Sequence, residues 1–204
     1  MLETILQWWG GLFYLLNKIF FSFAERSEES AERRWRIASW AVYLIGLPPW
    51  LILFTWRHNW IAFGVEAGGA PAMFLGLVVA IRGIGKVPKW LDRLVLVTVV
   101  LGLAYSLYDF RGITAWTQVC ELGLVTGFFI GTYLLAKIRP VGYLWFLLMN
   151  GSALMLFVLQ KFPWLVFQQA LSIAFIFDAY IMAIRKRKSR LAALAANATA
   201  PRTT

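Results

Sequence analysis

The sequence predicts an all-α, polytopic membrane bundle of about six transmembrane helices, with parallel internal repeats, preceded by an N-terminal amphipathic helix at the membrane interface. Three observations lead there. First, the 204 residues are 60% hydrophobic and only 15% charged, with a mean hydropathy of +0.67, whereas soluble domains carry about 25% charged residues. Second, apolar runs at 38–56, 61–81, 94–108, 113–136, 141–159 and 164–184 approach the roughly 20 helical residues needed to cross a bilayer core. Third, the basic residues alternate in density between successive connections, as the positive-inside rule requires of a multi-pass chain. A β-barrel is excluded because the runs lack polar/apolar alternation.

Residues 1–23 come first. Glu3, Gln7, Gly10, Gly11, Tyr14, Asn17, Lys18 and Ser22 recur at three- and four-residue steps, opposite Trp8, Trp9, Leu12, Phe13, Leu16, Ile19, Phe20 and Phe23. An in-plane helix would keep the polar stripe wet; the alternative is an extra span. Residues 24–37 read as a charged cytoplasmic linker containing a short solvated helix over 25–36, in which Glu29–Arg33 and Glu32–Arg36 form weak i,i+4 pairs. The transmembrane bundle occupies 38–184. Pro48 and Pro49 would kink the first run and Pro71 the second. The third run is short and extends backward to Leu91. Residues 185–204 form a basic cytoplasmic tail whose small-residue end is expected to fray.

One side carries fifteen basic residues: Arg26, Arg33, Arg34, Arg36, Arg82, Lys86, Lys89, Arg93, Lys137, Arg139, Arg185, Lys186, Arg187, Lys188 and Arg190. The other carries Arg57, Arg111 and Lys161. The dense side is therefore expected to be cytoplasmic, with both termini there, in an inner or plasma membrane. It would face anionic lipid. The net charge of +10 thus reflects topology, and nucleic-acid binding is excluded because the cations interrupt apolar runs. One cysteine, Cys120, and one histidine, His58, leave no intrachain disulfide, and no Cys/His metal site or histidine relay within this chain. No catalytic motif is present, so an enzyme is not expected, nor is a cofactor.

Acids inside apolar runs carry the functional argument, because each costs a few kcal/mol or more in lipid without a cavity or partner. Glu66 and Glu121 fall at similar depths, and Gln118 shares a helix face with Glu121. Gln168 and Gln169 enter the last run from the same side, and Asn150 lies midway along the fifth. Together with Trp145, deep enough to stack on a ligand, these residues form the candidate substrate site, a polar chamber with Tyr105, Tyr108, Trp116 and Trp164 near its mouth. A 55-residue repeat pairs Glu66, Gly68, Gly76, Arg82 and Trp90 with Glu121, Gly123, Gly131, Lys137 and Trp145, as in parallel-repeat transporters. Asp178 precedes Arg185 by two turns and is expected to pair with it.

The run Gly131-Thr132-Tyr133-Leu134-Leu135-Ala136-Lys137, the basic turn, Trp145, Asn150 and Lys161-Phe162-Pro163 resemble the C-terminal three-helix bundle of PnuC-type vitamin-precursor transporters, over residues 113–185. The resemblance implies an architecture like that of the SWEET sugar transporters, three helices, one linker helix and three more. It also implies a substrate like nicotinamide riboside, with Trp145, Asn150 and Gln168 as ligand contacts. The family's W-x-x-W signature is absent. The expected function is a small facilitator for a neutral or cationic vitamin-like solute. The alternative is a non-catalytic subunit of a larger membrane complex, docking through its glycine-rich helix faces; a homo-oligomer fits either.

Overall fold

The computed structural model describes residues 1–58, 60–83, 86–109, 116–161 and 163–199. Seven helices follow one another: α1 (Leu2–Arg26), α2 (Glu29–Trp56), α3 (Trp60–Arg82), α4 (Lys89–Asp109), α5 (Trp116–Ala136), α6 (Val141–Leu159) and α7 (Pro163–Thr199). The chain is a helical membrane bundle. Among the described residues, five helices are long and apolar enough to cross a membrane: α2, α3, α5, α6 and α7. Gln7, Asn17 and Lys18 keep α1 out of that group.

Six helices close a ring. α1 packs on α2, α2 on α3, α3 on α5, α5 on α6, α6 on α7, and α7 returns to α1; among the described residues α4 touches only α3 and α5. The outer position of α4 explains why Leu94, Leu96, Val97, Val100 and Leu101 are exposed on it. Small residues set the closest approaches. A Cβ on Gly127 would lie 2.5 Å from the Trp145 carbonyl and 2.7 Å from the Met149 nitrogen, so α5 and α6 touch backbone to backbone. Gly46 admits the ring of Tyr14, and Gly76 admits Trp40. The core then fills with Phe21, Trp40, Tyr43, Met73, Phe129, Tyr143 and Phe146.

α1 is not a water-facing amphipathic helix. Asn17 and Lys18 are 0% and 2% exposed, while Trp8, Trp9 and Leu12 on the opposite face are open. The stripe is polar because it meets the centre of the bundle. Glu3 at the start of α1 pairs with Arg57 at the end of α2, and Glu25 pairs with Arg36, so the two helices run antiparallel along their length. Trp8 packs on Trp164 with ring centroids 4.2 Å apart, and Arg26 pairs with Asp178. Hence α1 and α7 run in the same direction, and Met1 lies at the opposite end of the bundle from Lys186.

The charged segment 24–37 is helical as expected, but not as a separate solvated helix. Only Ser27 and Glu28 separate α1 from α2, and 29–37 forms the first turns of α2. The Glu32–Arg36 pair exists at 3.0 Å, but Arg36 is 6% exposed. Arg33 donates to the carbonyls of Ala80 at 3.3 Å and Ile81 at 2.5 Å, capping the C-terminal end of α3. The expected frayed tail is instead the continuation of α7 to Thr199.

Candidate functional site

One face of α1 builds the polar centre. Residues 14, 17, 18, 21 and 25 share that face by helical spacing and point into the ring. The Lys18 ammonium lies 4.5 Å from the Tyr43 ring centroid, 5.2 Å from Tyr14 and 5.3 Å from Phe146. Burying an ammonium costs several kcal/mol, and each desolvated cation–π contact returns about 2 kcal/mol. Three rings therefore offset much of the cost. Glu66 reaches in from α3 and joins Lys18 through Tyr14, whose ring the ammonium overlies and whose hydroxyl donates to the carboxylate. Its Oε2 accepts a hydrogen bond from the Tyr14 hydroxyl at 2.5 Å, and Tyr14 meets Tyr43 edge-on at 4.8 Å. A caged ammonium, two phenols and a carboxylate thus form one contiguous group contributed by α1, α2, α3 and α6.

Buried polar atoms continue along the same interface. Asn17 Nδ2 donates to the Ser39 carbonyl at 3.0 Å and to Ser39 Oγ at 3.1 Å, leaving Asn17 Oδ1 without a partner. The hydroxyls of Tyr43 and Thr132 are likewise buried without a hydrogen-bond partner. Gln168 Nε2 donates to the Gly11 carbonyl at 2.8 Å, while its Oε1 is unpaired. Each unpaired buried group costs about 1–3 kcal/mol, so these atoms are poised to bond something polar that enters the ring.

The sequence-predicted chamber is not assembled as expected. Glu66 is partly buried in the group just described, whereas Glu121 is exposed on α5. Gly68 and Gly69 meet Phe129 and Phe128, so α3 and α5 pair at an offset of ~60 residues rather than 55. At 1.5 Å per residue, that leaves Glu121 ~8 Å nearer the outer end than Glu66. Gln118 is half-buried near the start of α5. Trp145 is half-buried, its Cβ and carbonyl packed on Gly131 and Gly127. Asn150 is buried and donates to the Phe146 carbonyl of its own helix at 2.6 Å. Gln169 is half-buried with an unpaired Oε1. Of the proposed mouth, Tyr108, Trp116 and Trp164 are exposed, and the side chain of Tyr105 lies outside the described residues. Asp178 takes Arg26 and Ser22 as partners instead of Arg185, because α7 packs on α1.

Sequence reasoning missed Tyr14, Lys18 and Tyr43 as functional residues. The available signal was Asn17-Lys18 inside an otherwise apolar stretch, which points inward as readily as outward. It also missed a second group two turns further along, where Glu25 Oε1 accepts from Arg36 at 2.6 Å and from the Tyr143 hydroxyl at 2.8 Å.

Comparison with known proteins finds no matching family, no similar curated protein and no similar solved structure. The fold defines a small helical membrane protein with a polar centre, and its function is argued from that centre.

Proposed function

We propose that this chain is a small membrane carrier that passes a neutral or cationic, vitamin-like solute through the centre of the six-helix ring. The observation that carries the proposal is Lys18, an ammonium held by three aromatic rings beside Glu66. Ionisable groups inside membrane helices mark solute and ion pathways. The Tyr14–Tyr43–Phe146 cage is built to hold a cation or a planar ring, and Glu66 supplies the counter-charge. An incoming solute would take the place of the flexible lysine head, and the unpaired hydroxyls and amides would bond its polar edge.

In favour of the PnuC-type resemblance, the helices number seven among the described residues, and the fourth, α4, stands outside the ring made by the other six. The basic asymmetry supports a cytoplasmic side for the end holding Arg26, Arg36, Arg139 and Lys186. Because Met1 lies at the other end, the proposed orientation is an external N-terminus and a cytoplasmic C-terminus, with α1 as an additional span. This replaces the expectation of two cytoplasmic ends.

The test is uptake into proteoliposomes of a panel comprising nicotinamide riboside, thiamine and choline. The expected result is saturable entry of one member, abolished by Lys18→Met or Glu66→Gln and retained in Glu121→Gln. No flux above protein-free liposomes, combined with co-purification from the native membrane with another membrane subunit, would overturn it. That outcome would favour the role of a non-catalytic complex subunit.

A further inference from the structure

At the basic end of the bundle a cavity of about 450 Å³ opens between the α1–α2 turn, the α5–α6 turn and α7. Its cationic lining is Arg36, Arg139, Lys186, Arg187 and Arg190, against two carboxylates, Glu25 and Glu32. Both acids are already engaged. Glu25 is held by Arg36 and Tyr143. Glu32 receives Arg36 at 3.0 Å, Lys186 at 2.5 Å and Arg190 at 3.5 Å. Arg139 and Arg187 make no ion pair among the described residues, although both line the cavity from different parts of the chain.

We infer that this cavity is a binding site for a phosphate group, with Arg139 and Arg187 as its principal ligands and Arg190 as a third. The Glu25–Arg36–Glu32–Lys186 network forms the floor and fixes the geometry. Two guanidinium groups brought to one cavity by the α5–α6 turn and α7 suit a tetrahedral oxyanion, since each can donate two parallel N–H bonds. Pro140 and Val141, at the start of α6, also line the cavity. They bring the positive end of the α6 dipole to the same space. Five cations against two carboxylates in the lining favour an anion there. The inference is independent of whether the ring transports anything.

The phosphate could belong to an anionic lipid headgroup at the cytoplasmic leaflet or to a soluble phosphate compound. The full chain in nanodiscs separates the two. In mixed phosphatidylglycerol and phosphatidylcholine discs, native mass spectrometry should detect retained phosphatidylglycerol if the source is lipid. In pure phosphatidylcholine discs, titration with inorganic pyrophosphate at low salt should produce saturable binding if the source is soluble. In either arm, Arg139→Gln with Arg187→Gln should weaken binding by about a hundredfold, roughly tenfold for each arginine replaced. Lys188→Gln, outside the cavity lining, should leave it within about twofold. Since neither Arg139 nor Arg187 forms an ion pair among the described residues, the double variant should keep the wild-type melting temperature. Binding in neither arm, or equal binding to the double variant and the wild type, overturns the site.

Discussion

Arg36 provides the sharpest test of the packing. Its guanidinium reaches Glu25 at 2.6 Å and Glu32 at 3.0 Å; Arg36 is 6% exposed and Glu25 7%. Arg36→Met keeps the length of the side chain but removes both ion pairs. Glu25 then keeps only the Tyr143 hydroxyl, and Glu32 keeps Lys186 and the longer contact to Arg190. Leaving one partner of a buried pair uncompensated costs about 3–5 kcal/mol. For a chain of this size that corresponds to roughly 6–20 °C in melting temperature, at about 2–4 °C per kcal/mol. Cys120 makes the assay direct. It is the only cysteine and it is buried, so a thiol-reactive dye fluoresces only when α5 leaves the bundle. The double variant Arg36→Met/Glu25→Gln removes the stranded charge and should recover at least about 1 kcal/mol of the loss. A loss under about 1 kcal/mol for Arg36→Met alone, or a double variant no better than the single one, would refute the buried network.

Three further expectations follow from the packing. Gly127→Ala places a Cβ against the α6 backbone, which cannot swing away, and should cost at least about 1–3 kcal/mol; Gly64→Ala meets nothing within 4 Å and should be near neutral in the same thiol-dye melt. Reporter fusions at Met1 and after Arg190 should report opposite sides of the membrane; the same side at both ends would contradict α1 as a span. Asp178→Asn removes a partly exposed pair with Arg26 and should cost no more than about 1 kcal/mol, while Arg185→Gln should leave the melt unchanged with Asp178 in place.

Composition and hydropathy alone determined the solvent of this protein, because a chain with so few charges must place its apolar surface in lipid. They also located most helices. The 141–159 run reappears with the same bounds as α6, and Leu91 does fall within α4 as its shortness required. The charge density of successive connections determined which residues share an end of the bundle, since that is a property of the order of spans. What the sequence could not decide was where each polar face points. A stripe of Tyr14, Asn17 and Lys18 has the same 3.6-residue periodicity whether it faces water or the centre of a ring, and only the packing of α1 between α2 and α7 selected the second. Glu66 and Glu121 looked equivalent because a spacing of 55 residues carries no information on helix register. The glycines that seat Phe128 and Phe129 fixed that register, leaving one acid beside a caged ammonium and the other on the outer surface. Partner choice was decided in the same way. Asp178 takes Arg26, 152 residues away, over Arg185 two turns on, because tertiary packing brings α1 against the face of α7 that carries the acid.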